Sequence, residues 1–464
     1  MNILFLNPPF GSARPEGLDA PLGIMYLSAA LAATGHACAC VDNAWERRDD
    51  WSRWEAAVGA GKPDVVIVNT QLRFTRETME ALRRLRRLDT ACRAVAIGPQ
   101  ASTEPALLLT GGFDACVIGE PETVLPELFA QSAPPAQWGP RDGLATLNDP
   151  HPKPAPRADV EFLPFPDWNI VNYGRYIATT HNAVVMASRG LDYPDTFNQP
   201  PLIYAATPTR RCSVDRVVRE LAEVRRRFTG RYMVLFHDEV FTEERSWVIE
   251  LCDKLRAAQF GFHYWCFTRP DLVDAQLCRI MARCGFAGVS MGMESGADRV
   301  LEMLGRNTTV EKIEAGFRAA RIAGLLTVGS VMIGTPGRVE NEPDETWQEI
   351  ESTARLVKKI HPDVLTITIT TPLPGTSMYE SAAGRINAEE PEAFNYLHTF
   401  EGKYPVRLKM LGPNDLARGA ALIRRAWKRG LWKTAVRMVV VACNNGPFRK
   451  TMIAQAFRAF RKSV

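Results

Sequence analysis

The chain has 464 residues, 46% hydrophobic and 23% charged, which suits a soluble globular protein with two or three cores. No window of about 18 apolar residues occurs, so a spanning helix is not expected, and Asn2-Ile3-Leu4-Phe5-Leu6-Asn7 runs so soon into Pro8-Pro9 that no secretory leader is expected either. The formal charge of +4 hides an asymmetry: from Arg418 onward there are 12 Lys/Arg and no Asp/Glu, leaving −8 on the first 417 residues. The ten cysteines, at 38, 40, 92, 116, 212, 252, 266, 278, 284 and 443, are scattered and form no C-x-x-C pair. That pattern predicts buried, reduced thiols and a cytoplasmic location, and it lacks the usual zinc and cluster spacings.

Short apolar runs at 3–6, 37–41, 65–68, 94–97 and 115–118 predict buried parallel strands. Helical stretches at 22–33, 51–58, 76–88, 104–109 and 122–129 alternate with them. Five such units define a Rossmann-like or flavodoxin-like doubly wound domain over 1–135. Four loops follow its strand ends: Asn7-Pro8-Pro9, Thr70-Gln71, Gly98-Pro99-Gln100 and Gly119-Glu120-Pro121-Glu122. In a doubly wound sheet these loops gather at one edge and form a ligand crevice, although each alone also reads as ordinary turn chemistry.

Residues 132–178 are proline-rich and lack periodicity, so 136–178 is expected to be a linker. A second alternation follows over 179–385. Strands are predicted at 183–188, 233–236, 263–267, 288–292, 328–333 and 365–369, with helices at 213–228, 243–258, 272–283, 309–323 and 344–360. Thr308-Thr309-Val310-Glu311 reads as a capping box. Six β-α units predict a partial (β/α)6 barrel of TIM type, with its chemistry at the strand C-termini. The remainder, 386–464, reads as helical and basic. Trp427, Leu431, Trp432, Val436 and Val439 share a stripe opposite Arg424, Arg425, Lys428, Arg429, Lys433 and Arg437. Such a helix either caps the acidic body or makes a peripheral contact with an anionic membrane or lipid-like substrate. Nothing supports nucleic-acid binding.

The first-domain loops, together with Pro21-Leu22-Gly23-Ile24-Met25-Tyr26-Leu27, Pro63-Asp64-Val65-Val66 and Asp114-Ala115-Cys116-Val117-Ile118, resemble the cobalamin-binding domain of B12-binding radical-SAM proteins. The resemblance continues through Phe236-His237-Asp238-Glu239, Thr268-Arg269-Pro270-Asp271, Gly292-Met293-Glu294-Ser295-Gly296, Ile333-Gly334-Thr335-Pro336-Gly337 and Pro372-Leu373-Pro374-Gly375-Thr376. It implies a cobalamin (vitamin B12) site at Asn7, Pro8, Pro9, Thr70, Gln71, Gly98, Pro99, Gly119 and Glu120. No D-x-H-x-x-G occurs, so no histidine ligand to cobalt is implied, and Pro121 stands where the family more often has glycine. The resemblance also implies an S-adenosylmethionine (SAM) site, for which Arg269, Glu294 and Ser295 offer polar groups and Gly334 and Pro336 an adenine wall. Asp238 and Glu239 are candidates for the substrate pocket.

The resemblance breaks at one loop. Ser188-Arg189-Gly190 is the usual lead-in to C-x-x-x-C-x-x-C, but the three cysteine positions here hold Leu191, Asp195 and Asn198. Cluster iron needs thiolates, and these residues are poor substitutes, so a [4Fe-4S] cluster and radical initiation are not expected. A mononuclear metal on His237, Asp238, Glu239 and Glu294 is a weaker reading, because consecutive strand residues alternate faces; no metal site on protein side chains is expected. The expected function is cobalamin-dependent methyl transfer, or related polar chemistry, on a biosynthetic small molecule or lipid. An external reductant would accompany it. The alternative is a non-catalytic subunit that partners a cluster-bearing radical-SAM paralogue.

Overall fold

Runs such as Val65-Val66-Ile67-Val68 have no polar face, and they form strands covered on both sides. The computed structural model describes residues 1–8, 19–45, 50–88, 91–131, 138–193, 195–199, 208–339, 341–387 and 404–430. Two compact units are present: Met1–Thr180 with Gly190–Asp192 and Gln199–Arg210, and His181–Arg189 with Tyr193–Asn198 and Arg211–Val464.

In the first unit, β1 (Asn2–Asn7), β2 (Ala37–Asp42), β3 (Val65–Asn69), β4 (Arg93–Ile97) and β5 (Ala115–Val117) are parallel, in the order β2-β1-β3-β4-β5. Phe5 lies opposite Cys40 on one side and Ile67 on the other. The chain leaves β1 for β2 on one side and then crosses to β3 on the other, so the sheet's switch point falls between β1 and β3. Leu4, Leu6, Val66 and Val68 pack with Trp54, Leu82 and Leu85 on one face, and Ile3, Phe5, Val65 and Ile67 with Ile24, Leu27 and Phe129 on the other. Trp54 is fully buried and donates from Nε1 to the Ala81 carbonyl at 3.2 Å. Truncating such a ring to alanine costs about 3–5 kcal/mol.

The proline-rich stretch contributes to this unit. β6 (Leu144–Ala145) pairs antiparallel with β5, and Tyr173–Thr180 forms a helix.

In the second unit, β7 (Asn182–Val185), β8 (Met233–Phe236), β9 (His263–Thr268), β10 (Phe286–Glu294), β11 (Leu326–Ile333) and β12 (Val364–Ile369) form one parallel sheet in chain order. Helices Val214–Arg227, Arg245–Ala258, Ala275–Cys284, Val310–Ile322 and Trp347–Ile360 join consecutive strands. The Ala275–Cys284 helix is capped by Asp274, which accepts from the Gln276 and Leu277 amides, and ends at Gly285 with φ +112°. The capping box expected at Thr308–Glu311 is corrected by one residue. Thr309 is the cap and accepts from the Lys312 amide, which leaves Glu311 out of reach of a reciprocal bond. A reciprocal box forms instead at Thr346 and Glu349.

Helix Pro413–Lys428 packs on Trp347–Ile360, with Gly419 against Ile350 and Trp427 fully buried. Trp427 donates from Nε1 to the Pro362 carbonyl at 2.8 Å. The basic stretch from Leu431 onward and residues 388–403 lie outside the described residues. Among the described residues no helix is long and apolar enough to cross a membrane.

Candidate functional site

At the switch point of the first sheet, Asn7 ends β1 with its Nδ2 donating to Asp42 Oδ1 at 3.0 Å. Its Oδ1 accepts from Asn69 Nδ2 at 3.5 Å, which links the ends of β1 and β3. Asp42 Oδ1 also accepts from the Ala44 amide at 3.2 Å and Oδ2 accepts from the Tyr176 hydroxyl at 2.8 Å, so both carboxylate oxygens are committed within the protein. Next to Asp42, Asn43 is wholly buried, and neither its Oδ1 nor its Nδ2 has a partner. An unmet buried carboxamide costs about 1–3 kcal/mol per group, so it suits a polar ligand.

Gly98 adopts φ +97°, and a Cβ there would sit 2.7 Å from Asn69 Oδ1 and 2.8 Å from the Thr70 carbonyl. Only glycine permits that approach. Thr70 donates to the Ile97 carbonyl at 2.8 Å and accepts from the Ala101 amide at 3.1 Å, tying two loops together. Gly119, with φ +98°, donates to Ser102 Oγ at 3.1 Å. Gln71 accepts from Arg73, Pro8 is buried, and Pro99 opens the short helix Pro99–Thr103. Pro9 lies outside the described residues. The Glu120 carboxylate is taken by Arg210 at 2.5 Å and the Ala158 amide at 2.5 Å, so it braces the loop and is not offered to a ligand. Neutral carboxamides and glycine loops fit a large ligand rimmed by amides, as a corrin is. Asn7, Asn43, Gly98 and Gly119 are the residues that would hold it.

In the second unit β10 ends with a bulge between Gly292 and Glu294. Glu294 takes φ +54°, the left-handed region, and a Cβ at Gly292 would overlap its Oε1. The sequence thus places a glycine where the carboxylate needs room. The Glu294 carboxyl is pushed up by burial, with Arg306 opposing.

Arg306 is the centre of the mouth. Its Nη1 lies 2.7 Å from Asp195 Oδ2 and its Nη2 lies 3.8 Å from Glu294 Oε1. Burial works against its charge, but Glu294 and Asp195 outweigh that and hold its pKa above the ordinary value. Arg269 adds an ion pair to Asp195 at 3.6 Å and to Asp271 at 3.0 Å, donates to the Arg306 carbonyl, and lies 4.3 Å above the Tyr193 ring. Arg306, and not Arg269, is the arginine paired with Glu294. Arg269 is therefore occupied, whereas Glu294 keeps acceptor capacity for a SAM ammonium or hydroxyl.

Ser295 is buried against Thr353 Oγ1 at 3.3 Å. Gly334, with φ +82°, makes room for Leu408 and Leu416, and Pro336 is buried in the same loop. These three fasten the mouth. Behind them Glu345 is wholly buried and accepts from the Gly334 and Thr335 amides at 2.6 and 3.2 Å, and burial pushes its carboxyl up to about 8.

The cluster positions can be tested directly. Leu191 is buried and has no donor atom. Asn198 Nδ2 donates to Asp195 Oδ2 at 2.8 Å, and that same carboxylate is held by Arg306 and Arg269. An iron–sulfur cubane needs free thiolates, and this set is neither soft nor free, so the residues do not fit the cluster. Asp238, expected as pocket lining, is buried and accepts from Ser188 Oγ and from the Ala187 amide at 3.3 Å, so its carboxylate braces the start of the first loop. Glu239 is exposed, yet protein surrounds it closely enough that desolvation pushes its carboxyl up, with His237 opposing. Among the described residues no group of three or more His, Cys, Asp or Glu is placed to hold a metal ion.

Sequence reasoning missed Arg306, Asn43, Asp42 and Tyr176. Arg306 follows a helix without any spacing signal, and its carboxylate partner is 111 residues away.

A doubly wound sheet with glycine loops at its strand ends, and a six-stranded parallel partial barrel with a charged mouth, define an α/β protein with a candidate ligand site in each unit. Residues 13–129 match the B12 binding domain model and residues 205–357 the radical SAM superfamily model. The chain belongs to the B12-binding radical SAM family. It is 27% identical over 394 residues to an uncharacterized methyltransferase of Pyrococcus horikoshii, covering 82% of this chain and 83% of the relative. It is 23% identical to the anaerobic magnesium-protoporphyrin IX monomethyl ester cyclase of Rubrivivax gelatinosus, over 86% of this chain and 73% of the relative. The fold is shared with the radical S-adenosylmethionine methyltransferase TsrM of Kitasatospora setae, at TM-score 0.72 and 19% identity, covering 92% of this chain and 89% of that one. OxsB, a cobalamin-dependent S-adenosylmethionine radical enzyme, superposes at TM-score 0.73 and 12% identity, over 99% of this chain and 71% of that one.

Proposed function

We propose that the chain is a cobalamin-dependent, methyltransferase-like enzyme that works by polar chemistry without an iron–sulfur cluster, acting on a biosynthetic small molecule or lipid. One observation carries this reading: two of the three cluster positions are tied to each other and to two arginines in a closed, charged network. The glycine approach at Gly98 and the unmet carboxamide of Asn43 support retained cobalamin binding. Relatives named as a methyltransferase and a hopanoid methylase support the reaction class.

When bound, SAM supplies an electrophilic methyl group and cobalamin a carrier for it. The chain's own residues then have defined tasks. Glu294 accepts hydrogen bonds from the SAM amino group or ribose. Arg306 keeps Glu294 in place. Asn7 and Asn43 hold the corrin amides. Glu239 takes a proton from the substrate.

The test is metal analysis and an absorption spectrum of protein produced with added cobalamin, followed by SAM turnover with an external reductant. Cobalt without iron, and S-adenosylhomocysteine without 5′-deoxyadenosine, are expected. Three or four irons per chain would overturn the cluster-free reading. Failure to bind either cofactor, with activity appearing only beside a cluster-bearing paralogue, would establish the partner-subunit alternative.

A further inference from the structure

The two faces of the second sheet differ. Val289, Met291, Val331, Ile333, Leu365 and Ile367 are buried, while the alternate residues on the same strands remain partly open. The open face is closed at its base, where Met233, Ala287 and Leu326 cluster with Trp265. The Trp265 ring lies where a Cβ of Gly288 would be, and its Nε1 donates to Ser290 Oγ at 2.9 Å. Above that floor the register puts Phe267 opposite Ser290, Gly292 opposite Ser330, Ser330 opposite Thr366, and Met332 opposite Thr368. The layers of a barrel interior are thus filled at the bottom and open at the top.

The chemistry of the open part is specific. Its walls carry hydroxyls from Ser290, Ser330, Thr366 and Thr368 and an exposed ring at Phe267, and none of these inward positions is Lys or Arg. At the rim the His237 ring stands edge-on to Phe267, 5.6 Å between centroids. Beside it Glu239 is exposed, and among the described residues no hydrogen bond or ion pair holds its carboxylate. Among the described residues the inward wall positions offer an anion no lysine or arginine, and Arg306 at the mouth is already paired with Asp195 and Glu294. A flat ring can rest on Phe267 and Trp265, and a single N–H or O–H on it can satisfy Glu239.

We propose that this lumen binds an uncharged, flat-ringed molecule carrying one N–H or O–H, and that Glu239 accepts that hydrogen. The proposal rests on the reading that the barrel handles an organic substrate, and it names the class of that substrate. Desolvation, reinforced by Asp238 and Asp195, pushes the Glu239 carboxyl up against the opposing His237, which disposes it to share a proton.

The experiment is a fluorescence titration of the full chain with four naphthalene probes: 2-naphthol, 2-methoxynaphthalene, 2-naphthoate and 2-naphthylmethylammonium. The expected result is tightest binding of 2-naphthol, at least tenfold over its methyl ether and over both ions. Glu239→Ala removes that tenfold preference and leaves the ether within twofold, while Phe267→Ala weakens naphthol and ether alike. Stronger binding of either ion, equal loss of naphthol and ether in Glu239→Ala, or no binding of any probe overturns the proposal. Cobalamin and SAM binding, measured by dialysis on the same samples, report on the proposed function separately, because the probe titration needs neither.

Discussion

Asn198 donates from Nδ2 to Asp195 Oδ2 at 2.8 Å, joining two positions where the resembled family carries cluster cysteines. Asp195 is the anchor of this pair, since Arg306 and Arg269 also converge on it. Burial pushes its carboxyl up, and the two arginines oppose that. Removing one member of a buried charge set strands the others. Asp195→Ala should therefore lower unfolding free energy by about 3–5 kcal/mol. Replacing Asp195 by Leu and Arg306 by Met together should cost clearly less than Asp195→Ala alone, because the cation leaves with its carboxylate and Glu294, already pushed up by burial, can take a proton. Denaturant midpoints of the three proteins check this; equal losses in the single and double variants would show that the network does not act as a unit.

Gly292 and Glu294 are a matched pair. A side chain at Gly292 would overlap Glu294 Oε1, and Glu294 already holds a left-handed backbone that L-residues resist. Gly292→Ala should displace the carboxylate and weaken SAM binding at least tenfold, with an overpacking cost of about 1–3 kcal/mol. Equilibrium dialysis with SAM, beside a thermal melt, separates the two effects. Unchanged SAM affinity would remove Glu294 from the cofactor site.

The sequence made the scaffold readable where continuous apolar runs marked buried elements. Helix Leu22–Ala33 and the strand at Val65–Asn69 stand out because their apolar residues need no distant information. β6 was not readable, since two residues pairing antiparallel within a proline-rich stretch leave no periodic trace. The site was readable as loops and not as contacts. Glu120 sits in the loop expected to meet cobalamin, but Arg210, 90 residues later, takes its carboxylate. Asp42 and Tyr176 are 134 residues apart, and Asp195 and Arg306 are 111 apart and meet only in the folded second unit. The three missing cysteines were visible at once because a motif fixes their spacing; what replaced their role required coordinates.

Tyr176 gives a test of the first-unit crevice. Its hydroxyl holds Asp42, and Asp42 holds Asn7 at the switch point. Tyr176→Phe removes a hydrogen bond to a carboxylate and should cost about 1.5–3 kcal/mol. It should also loosen Asn7 and weaken cobalamin binding severalfold. Gly98→Ala is expected to act more severely, because the new Cβ would press on Asn69 Oδ1 and the Thr70 carbonyl. Cobalt retained after gel filtration should fall in the order wild type, Tyr176→Phe, Gly98→Ala. Full retention in Gly98→Ala would place cobalamin elsewhere.

Glu345 predicts a pH dependence whose sign follows from burial. Its carboxyl is pushed from 4.5 up to about 8 in the folded protein. The folded state therefore keeps a proton that the unfolded chain has already released in that window. The resulting stability is complete below the unfolded value, declines as pH rises, and is lost once pH passes the folded value. Each pH unit between those limits removes roughly 1 kcal/mol. Glu345→Gln keeps an acceptor for the Gly334 and Thr335 amides and cannot ionise. The variant should match wild type near pH 4.5 and exceed it progressively toward pH 8 in urea unfolding. Parallel curves for the two proteins would mean that Glu345 is ionised throughout, with Arg299 as the compensating charge.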